Sequence, residues 1–265
     1  MIKCVVPVPG GKDSQACLKL ALQQFDQSEV IGLFCDTKFE HPMTYAHVER
    51  MHEMYGVDIR VVNRGDVLSL VRKYKRFPGG GARFCTDELK IKAGVHFYKQ
   101  LASEQGCGFQ VWYGMRLGES HERNTRYFER VDTELYPPHE VIPSKYPKYL
   151  EKMGVMFRMP VLQWSGDDVL DFLDGEQSPL YAAGFDRVGC FPCLAAGDQT
   201  KERAFAFDDF GKSQRIAAVQ IGHDIGKNPF TSLGGRMRNL DAMVSVKNDN
   251  QPDLFDAPPC AICAI

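Results

Sequence analysis

The chain has 265 residues, 44% of them hydrophobic, a formal net charge of −2 and nine cysteines. That length can bury one large domain or one and a half, and the charge excludes a global basic field for nucleic acid while leaving room for a local patch. No apolar run reaches a transmembrane length and residues 1–12 form no signal peptide, so a cytoplasmic protein away from any membrane is expected, its cysteines serving as metal ligands, catalytic thiols or small buried residues rather than disulfides.

In chain order, Ile2–Val8 reads as a buried strand and Ser14–Phe25 as a helix with Leu18, Leu22 and Phe25 near one face. Val30–Cys35 is a second strand. Pro42 opens a helix to Tyr55, with Gly56 as its C-terminal cap. Ile59–Val62 is a third strand, and Asp66 starts a helix that stops before the glycine-rich loop RFPGGGARF. Thr86–Ser103 is helical, Val111–Gly114 a strand, and Val155–Leu162 contains another. Strands alternating with helices predict an α/β fold with a doubly wound, mostly parallel sheet. Past Ser165 the pattern turns helical and irregular. The division expected is a nucleotide-binding domain over 1–165, a helical subdomain with the C-x-x-C over 166–245, and a tail over 246–265.

The stretch CVVPVPGGKDSQACLKL, residues 4–20, carries the first functional signal. A strand meets a glycine pair, a lysine, an acid and a hydroxyl, then a helix. Gly10 and Gly11 let the backbone approach an anion closely, Lys12 adds a point charge, and Ser14 is placed to cap a helix whose free amides favour negative charge. The Walker A pattern is excluded, because Val6 and Asp13 stand where it needs Gly and Ser or Thr. In a doubly wound sheet, ligands bind beyond the carboxyl ends of the strands. That brings CDTKFEHP (35–42) and YGMRLGESHER (113–123) to the same rim, with Asp36, Arg116, Glu119 and Arg123 beside Lys12 and Asp13.

These residues resemble a known family. PGGKDS is similar to the S-G-G-K-D-S signature of PP-loop ATP pyrophosphatases, and DTKFEHPMTYAHVERMHEMYGVDIRVV looks like the segment that follows it in the branch related to phosphoadenylylsulfate (PAPS) reductase. GMRLGESHER, PVLQWSGDDV and SPLYAAGFDRVGCFPC resemble that branch's G-x-R-x-x-E-S, P-x-x-x-W-[ST]-x-x-D-V and N-P-L-Y…G-C-x-x-C stretches, so five motifs fall in order over residues 1–195. The resemblance implies an adenine nucleotide α-hydrolase-like fold that uses ATP and Mg²⁺. Gly10, Gly11, Lys12 and Ser14 would hold the β- and γ-phosphates, and Asp13 would place Mg²⁺. Asp36 and Thr37 would lie near adenosine. Arg116 would stabilise charge during α–β cleavage, with Glu119 and Arg123 in the same binding set. Lys12, Asp13 and Arg116 are thus the catalytic candidates. One position departs from the pattern: Pro9 stands where the family has serine, which either weakens phosphate affinity or suits the loop to a smaller anion.

Cys190 and Cys193 have the C-x-x-C spacing of two ligands on one metal or cluster, or of a redox pair. In the family a cysteine at the position of Cys85 joins them around an iron–sulfur cluster (4Fe-4S) or Zn²⁺. Cys260 and Cys263 are the candidates for a fourth ligand. Cys4, Cys17, Cys35 and Cys107 read as small buried residues.

Three readings of function follow. The first is an ATP pyrophosphatase that adenylates a nucleic-acid acceptor for sulfur incorporation, as in DNA phosphorothioation, with a cysteine desulfurase as sulfur donor and DNA rather than tRNA as acceptor. The second is a thioredoxin-dependent reductase of PAPS or adenylylsulfate. Against it, the terminal PPCAICAI lacks the glutamate, glycine and histidine of the reductase tail E-C-G-I-H. The third is a non-catalytic nucleotide sensor. QPDLFD in the tail resembles the peptide that docks on the sliding clamp, making Gln251–Phe255 a candidate contact.

Overall fold

Strand β1 (Cys4–Pro7) lies at the centre of a five-stranded parallel sheet with the order β3-β2-β1-β4-β5. The computed structural model describes residues 1–79 and 83–230. The expected tail, with Gln251–Phe255, Cys260 and Cys263, lies outside the described residues, as does the end of the expected helical subdomain.

The chain runs from β1 through helix α1 (Lys12–Gln24) to β2 (Val30–Asp36), then through α2 (Pro42–Tyr55) to β3 (Asp58–Asn63). Helix α3 (Val67–Tyr74) follows, and a π-helical stretch, Thr86–Ile91, continues directly into α4 (Lys92–Gln105). The chain then crosses back over the sheet to β4 (Gln110–Trp112) on the other side of β1. Three short helices, α5 (His121–Tyr127), α6 (Pro138–Val141) and α7 (Tyr149–Lys152), lead to the edge strand β5 (Met156–Arg158). The rest is helical: α8 (Gly166–Leu173), α9 (Pro179–Ala182), α10 (Asp198–Phe207) and α11 (Asp209–Ile225).

Alternation along the strands builds two cores. Val5, Ile31, Leu33, Val111 and Phe157 face one side, against Tyr98, Leu101 and Ala102 of α4. Cys4, Val6, Val30, Phe34 and Trp112 face the other, against Ala16, Cys17, Leu18 and Ala21 of α1, Met51 of α2 and Val169 of α8. The sheet is therefore covered on both faces, as the α/β reading expected. A third cluster joins α3 to the C-terminal helices: Leu70 and Val71 pack with Phe84, Leu89, Phe205, Ala218 and Val219.

Local chemistry sets the helix ends. Pro42 occupies the first position of α2, His41 Nδ1 accepts from Met43 N at 3.1 Å, and Gly56 closes the helix at φ +60°. Asp66 caps α3 by accepting from Ser69 N at 2.7 Å. Ser165 and Asp168 form a reciprocal capping box on α8, at 3.0 and 2.7 Å. Gln15, buried in α1, accepts from His47 Nε2 at 2.9 Å and donates to Tyr55 Oη and to the Glu176 carbonyl, both at 3.0 Å, tying α1 to α2 and to the turn after α8.

The strand order reverses at β1, between β2 and β4. In open α/β sheets this reversal leaves a crevice outside the carboxyl ends of the two strands. The loops that follow β1 and β4 are residues 8–11 and 113–116.

Candidate anion site and the neighbouring thiols

Gly10 adopts φ +90°, and a Cβ there would meet Thr44 Cγ2 at 2.7 Å, so the tight entry to α1 requires glycine. Gly11 is the N-cap of α1 and Lys12 its first residue. This corrects the expected role of Ser14. It lies inside the first turn, buried, and its Oγ donates back to the Gly11 carbonyl at 2.7 Å instead of accepting as a cap. The reason is Gly11 itself: its extended backbone (φ −83°, ψ 150°) lets the helix start two residues earlier than the side-chain pattern suggested.

The β4 loop meets this turn through Gly114. A Cβ there would lie 2.5 Å from Ser14 N and 2.6 Å from Asp13 C, so the two backbones touch only because residue 114 is glycine. This contact sets Arg116 beside Asp13, with Arg116 Nε donating to Asp13 Oδ1 at 2.7 Å. Both side chains are mostly buried, at 12% and 16% exposure, so the pair is screened far less than a surface one. Lys12 Nζ donates to the Gly166 carbonyl at 3.0 Å, and Lys12 N donates to Tyr181 Oη at 2.9 Å. Gly166 has no side chain to separate the two cations: a Cβ there would lie 3.3 Å from Lys12 Nζ and 3.7 Å from Arg116 Nη1.

Further charges close around this point. Glu119 Oε2 accepts from Arg116 N at 3.0 Å and forms an ion pair with Arg123. Arg123 is buried, which pushes its pKa down to about 10, and Arg187 adds like-charge repulsion. Burial also lowers the Lys12 ammonium, with Asp13 opposing the shift and Arg116 reinforcing it. Lys12, Arg116, Arg123 and Arg187 thus gather with the carboxylates of Asp13 and Glu119, and Asp167 and Asp186 also act on Lys12. Cations grouped at a glycine-lined helix N-terminus have the chemistry to hold an anion.

Asp36 and Thr37, at the end of β2, have different company. Asp36 accepts from Lys38 Nζ at 2.6 Å, Lys38 N at 2.8 Å and Tyr45 Oη at 2.8 Å. Burial alone would raise the Asp36 carboxyl, but these donors hold it below the usual range. Thr37 Oγ1 donates to Glu40 Oε1 at 2.6 Å and lies 3.3 Å from Cys190 Sγ. Glu40, 3% exposed, also accepts from Thr37 N at 3.1 Å and Phe39 N at 3.2 Å. The two segments are joined by a bridge between Glu40 and Cys190 and by Phe191 N donating to the Phe39 carbonyl at 2.7 Å. Asp36 and Thr37 therefore sit on the thiol side of the crevice.

Cys85 precedes the π-helical stretch and packs with Cys190 in the third apolar cluster. Cys85 and Cys190 each interact electrostatically with Cys193, and burial pushes both thiols up, Cys190 to about 12. Lys90 stands in the same place. Burial alone would lower its ammonium, but Cys190, Glu40, Cys193 and Cys35 around it more than offset this and raise it. The expected set Cys85, Cys190 and Cys193 is thus brought into one neighbourhood. Among the described residues, however, no three His, Cys, Asp or Glu groups stand in ligating geometry. Cys190 makes contacts to Thr37 and Glu40 instead. Cys4 and Cys17 are buried as expected, while Cys35 and Cys107 are partly exposed.

Residues 3–196 match the phosphoadenosine phosphosulfate reductase domain. The chain belongs to that family. The matched span runs from the start of β1 to just past Cys193. An adenosine 5'-phosphosulfate reductase of Anoxybacillus flavithermus is 25% identical over 190 residues, covering 70% of each chain. Two uncharacterized proteins of Methanocaldococcus jannaschii, MJ0066 and MJ0973, are each 27% identical, and the chain spans only 36% and 40% of their lengths. Among solved structures, PAPS reductase of Candida auris aligns over 72% of this chain and 82% of its own, with 13% identity and a TM-score of 0.46. The U34-tRNA thiolase NcsA of Methanococcus maripaludis, solved with its 4Fe-4S cluster, aligns over 85% and 71%, with 15% identity and a TM-score of 0.43.

Within this reductase-family domain, several site residues escaped the sequence reading. Gly114 and Gly166 lie in the GMRLGESHER and PVLQWSGDDV stretches, and only the folded structure shows what a side chain at either would meet. Arg187 and Tyr181 lie in SPLYAAGFDRVGCFPC. Glu40 and Lys90 gave no local signal, because only tertiary contact makes them neighbours of Cys190. Among the described residues no helix is long and apolar enough to cross a membrane.

Proposed function

We propose that the chain is an ATP pyrophosphatase that adenylates a nucleic-acid acceptor for sulfur incorporation, with DNA phosphorothioation as its setting and a cysteine desulfurase as sulfur donor. The observation that carries this reading is the Asp13–Arg116 pair locked onto the first turn of α1, with Lys12 and Gly166 beside it. This arrangement suits a polyphosphate whose α–β bond is cleaved. An acceptor oxygen attacks the α-phosphorus, a new P–O bond forms, and the α–β bridging oxygen leaves with pyrophosphate. A sulfur nucleophile then attacks the activated centre and AMP leaves. Lys12 and Arg116 neutralise charge building on the departing pyrophosphate, and fixed cations in a partly dry site do this without reorganisation. Asp13 is the hard oxygen donor that would hold Mg²⁺, which when bound would neutralise phosphate charge.

The thiol side belongs to the same proposal in a limited form. Cys85, Cys190 and Cys193 supply the soft donors an iron–sulfur cluster takes, with a fourth ligand sought in Cys260 or Cys263. Among the described residues their geometry is not that of a formed centre.

The alternative is reduction of adenylylsulfate or PAPS, which the similarity to the Anoxybacillus flavithermus reductase favours. The two readings separate in one assay. The purified protein, given ATP, Mg²⁺ and DNA, is expected to release pyrophosphate, and given PAPS or adenylylsulfate with thioredoxin it is expected to release no sulfite. Sulfite release, or orthophosphate as the sole product from ATP, would remove the proposal.

A further inference from the structure

Residues 71–84 contain Arg72, Lys73, Lys75, Arg76 and Arg83 and no acidic residue, in a chain whose formal charge is −2. The first four are exposed, at the end of α3 and just beyond it. Several cations elsewhere are matched: Lys3, Lys19, Lys92, Arg126 and Lys145 each meet a carboxylate within 3 Å. Arg72 meets Asp224 at the longer distance of 3.7 Å, and among the described residues none of Lys73, Lys75 and Arg76 forms an ion pair. Glu88, which interacts electrostatically with Lys73, is hydrogen-bonded by Lys92 at 2.8 Å and by Tyr74 Oη at 2.9 Å.

An aromatic pair holds these cations in place. The rings of Tyr74 and Phe84 stack at 4.5 Å; Arg76 Cζ lies 5.4 Å over Phe84, and Lys73 Nζ lies 5.4 Å from the centre of the Tyr74 ring. Cations supported along aromatic faces lose less freedom when they bind an anion. Phe84 is buried in the same apolar cluster as Cys190 and directly precedes Cys85. Phe84 thus links the cation-bearing rings to the apolar cluster against which Cys85 and Cys190 pack.

We propose that this surface binds the phosphodiester backbone of a nucleic-acid strand and lays the acceptor beside the thiols. A run of unmatched cations spaced along an exposed segment fits a repeating phosphate charge. The inference rests on the sulfur-incorporation reading for its purpose, but its measurement is independent of that reading.

The test uses the full chain and a fluorescein-labelled single-stranded DNA, with an RNA of the same sequence as a second arm, over a salt series. The wild type is expected to bind with affinity falling as salt rises. At about 0.1 M salt the triple variant Lys73→Glu/Lys75→Glu/Arg76→Glu is expected to bind ~10²-fold more weakly, and its salt slope to fall by about 2, from roughly 0.7 per lost contact. The milder Lys73→Gln/Lys75→Gln/Arg76→Gln variant shows the same slope change if the reversal disturbs folding, and Lys212→Glu, on an exposed residue elsewhere, leaves binding unchanged. Tighter binding of the DNA or of the RNA identifies the strand and supports the surface. Wild-type binding that is absent or indifferent to salt, or triple variants within about twofold of wild type, would overturn it. Pyrophosphate release is measured on the same samples. Release without strand binding removes this surface and spares the adenylation reading, and binding without release does the reverse.

Discussion

The two sides of the crevice are built differently. On the β1–β4 side, opposite charges meet directly: Arg116 on Asp13 at 2.7 Å, and Arg123 on Glu119. Gly114 lets the β4 loop touch the first turn of α1, and Gly166 leaves room for the Lys12 and Arg116 side chains, so the charges are set before any ligand arrives. On the β2 side, Cys190 meets Thr37 and Glu40 through a hydroxyl and a carboxylate, and its thiol is pushed up to about 12 by burial. A thiol held neutral by burial is neither a ready nucleophile nor a ready ligand. The contrast teaches that the charges on the first side are paired with one another as they stand, whereas the Cys190 thiol on the second is held neutral by burial.

The largest expected effect breaks the charged side. Lys12→Ala or Arg116→Ala is expected to reduce pyrophosphate release by ~10²–10³-fold, the usual loss for one charge-stabilising group. Steady-state rates check this, and equal rates in the variants would contradict it. Next, His47 tests the scaffold under that side. Burial lowers its pKa to about 4, and its Nδ1 has no partner to accept a second proton. The folded state therefore keeps it neutral while the unfolded chain takes up a proton below about pH 6.5. Its contribution, about 3 kcal/mol, is complete above pH 6.5 and is lost as pH falls towards 4. Denaturant unfolding across that window should show the decline, and His47→Gln should flatten it. Gly114→Ala comes third. The added methyl must push β4 from the first turn of α1, at a cost of about 1–3 kcal/mol, with weaker nucleotide binding as the separate readout. The smallest effect on the fold is expected on the thiol side. Protein purified without oxygen should carry iron, and Cys190→Ala should lose it with little change in unfolding midpoint. A metal-free wild type that incorporates sulfur normally would end the cluster reading.

How much of this was legible in the sequence depends on how local the signal is. Val-rich strands, Pro42, Gly56 and Asp66 announce β1, α2 and α3 by themselves, and all appear within a residue or two of the expected bounds. Lys12, Asp13, Arg116, Glu119 and Arg123 were legible because each follows a strand that ends at one rim. Ser14 was misplaced because a capping residue is read from side chains, whereas here the backbone of Gly11 fixes the helix start. Arg187 was not singled out because its place beside the charged cluster shows only through its effect on Arg123, sixty-four residues away in sequence. The contacts of the Thr37 hydroxyl with Glu40 and Cys190 were not legible, because no sequence period encodes that pairing.

The most direct measurement follows pyrophosphate release and sulfur incorporation together in Arg116→Ala and Cys190→Ala. The account predicts that Arg116→Ala loses both, while Cys190→Ala loses sulfur incorporation and keeps pyrophosphate release within about threefold of wild type. Loss of pyrophosphate release in Cys190→Ala as deep as in Arg116→Ala would contradict the division of labour between the two sides.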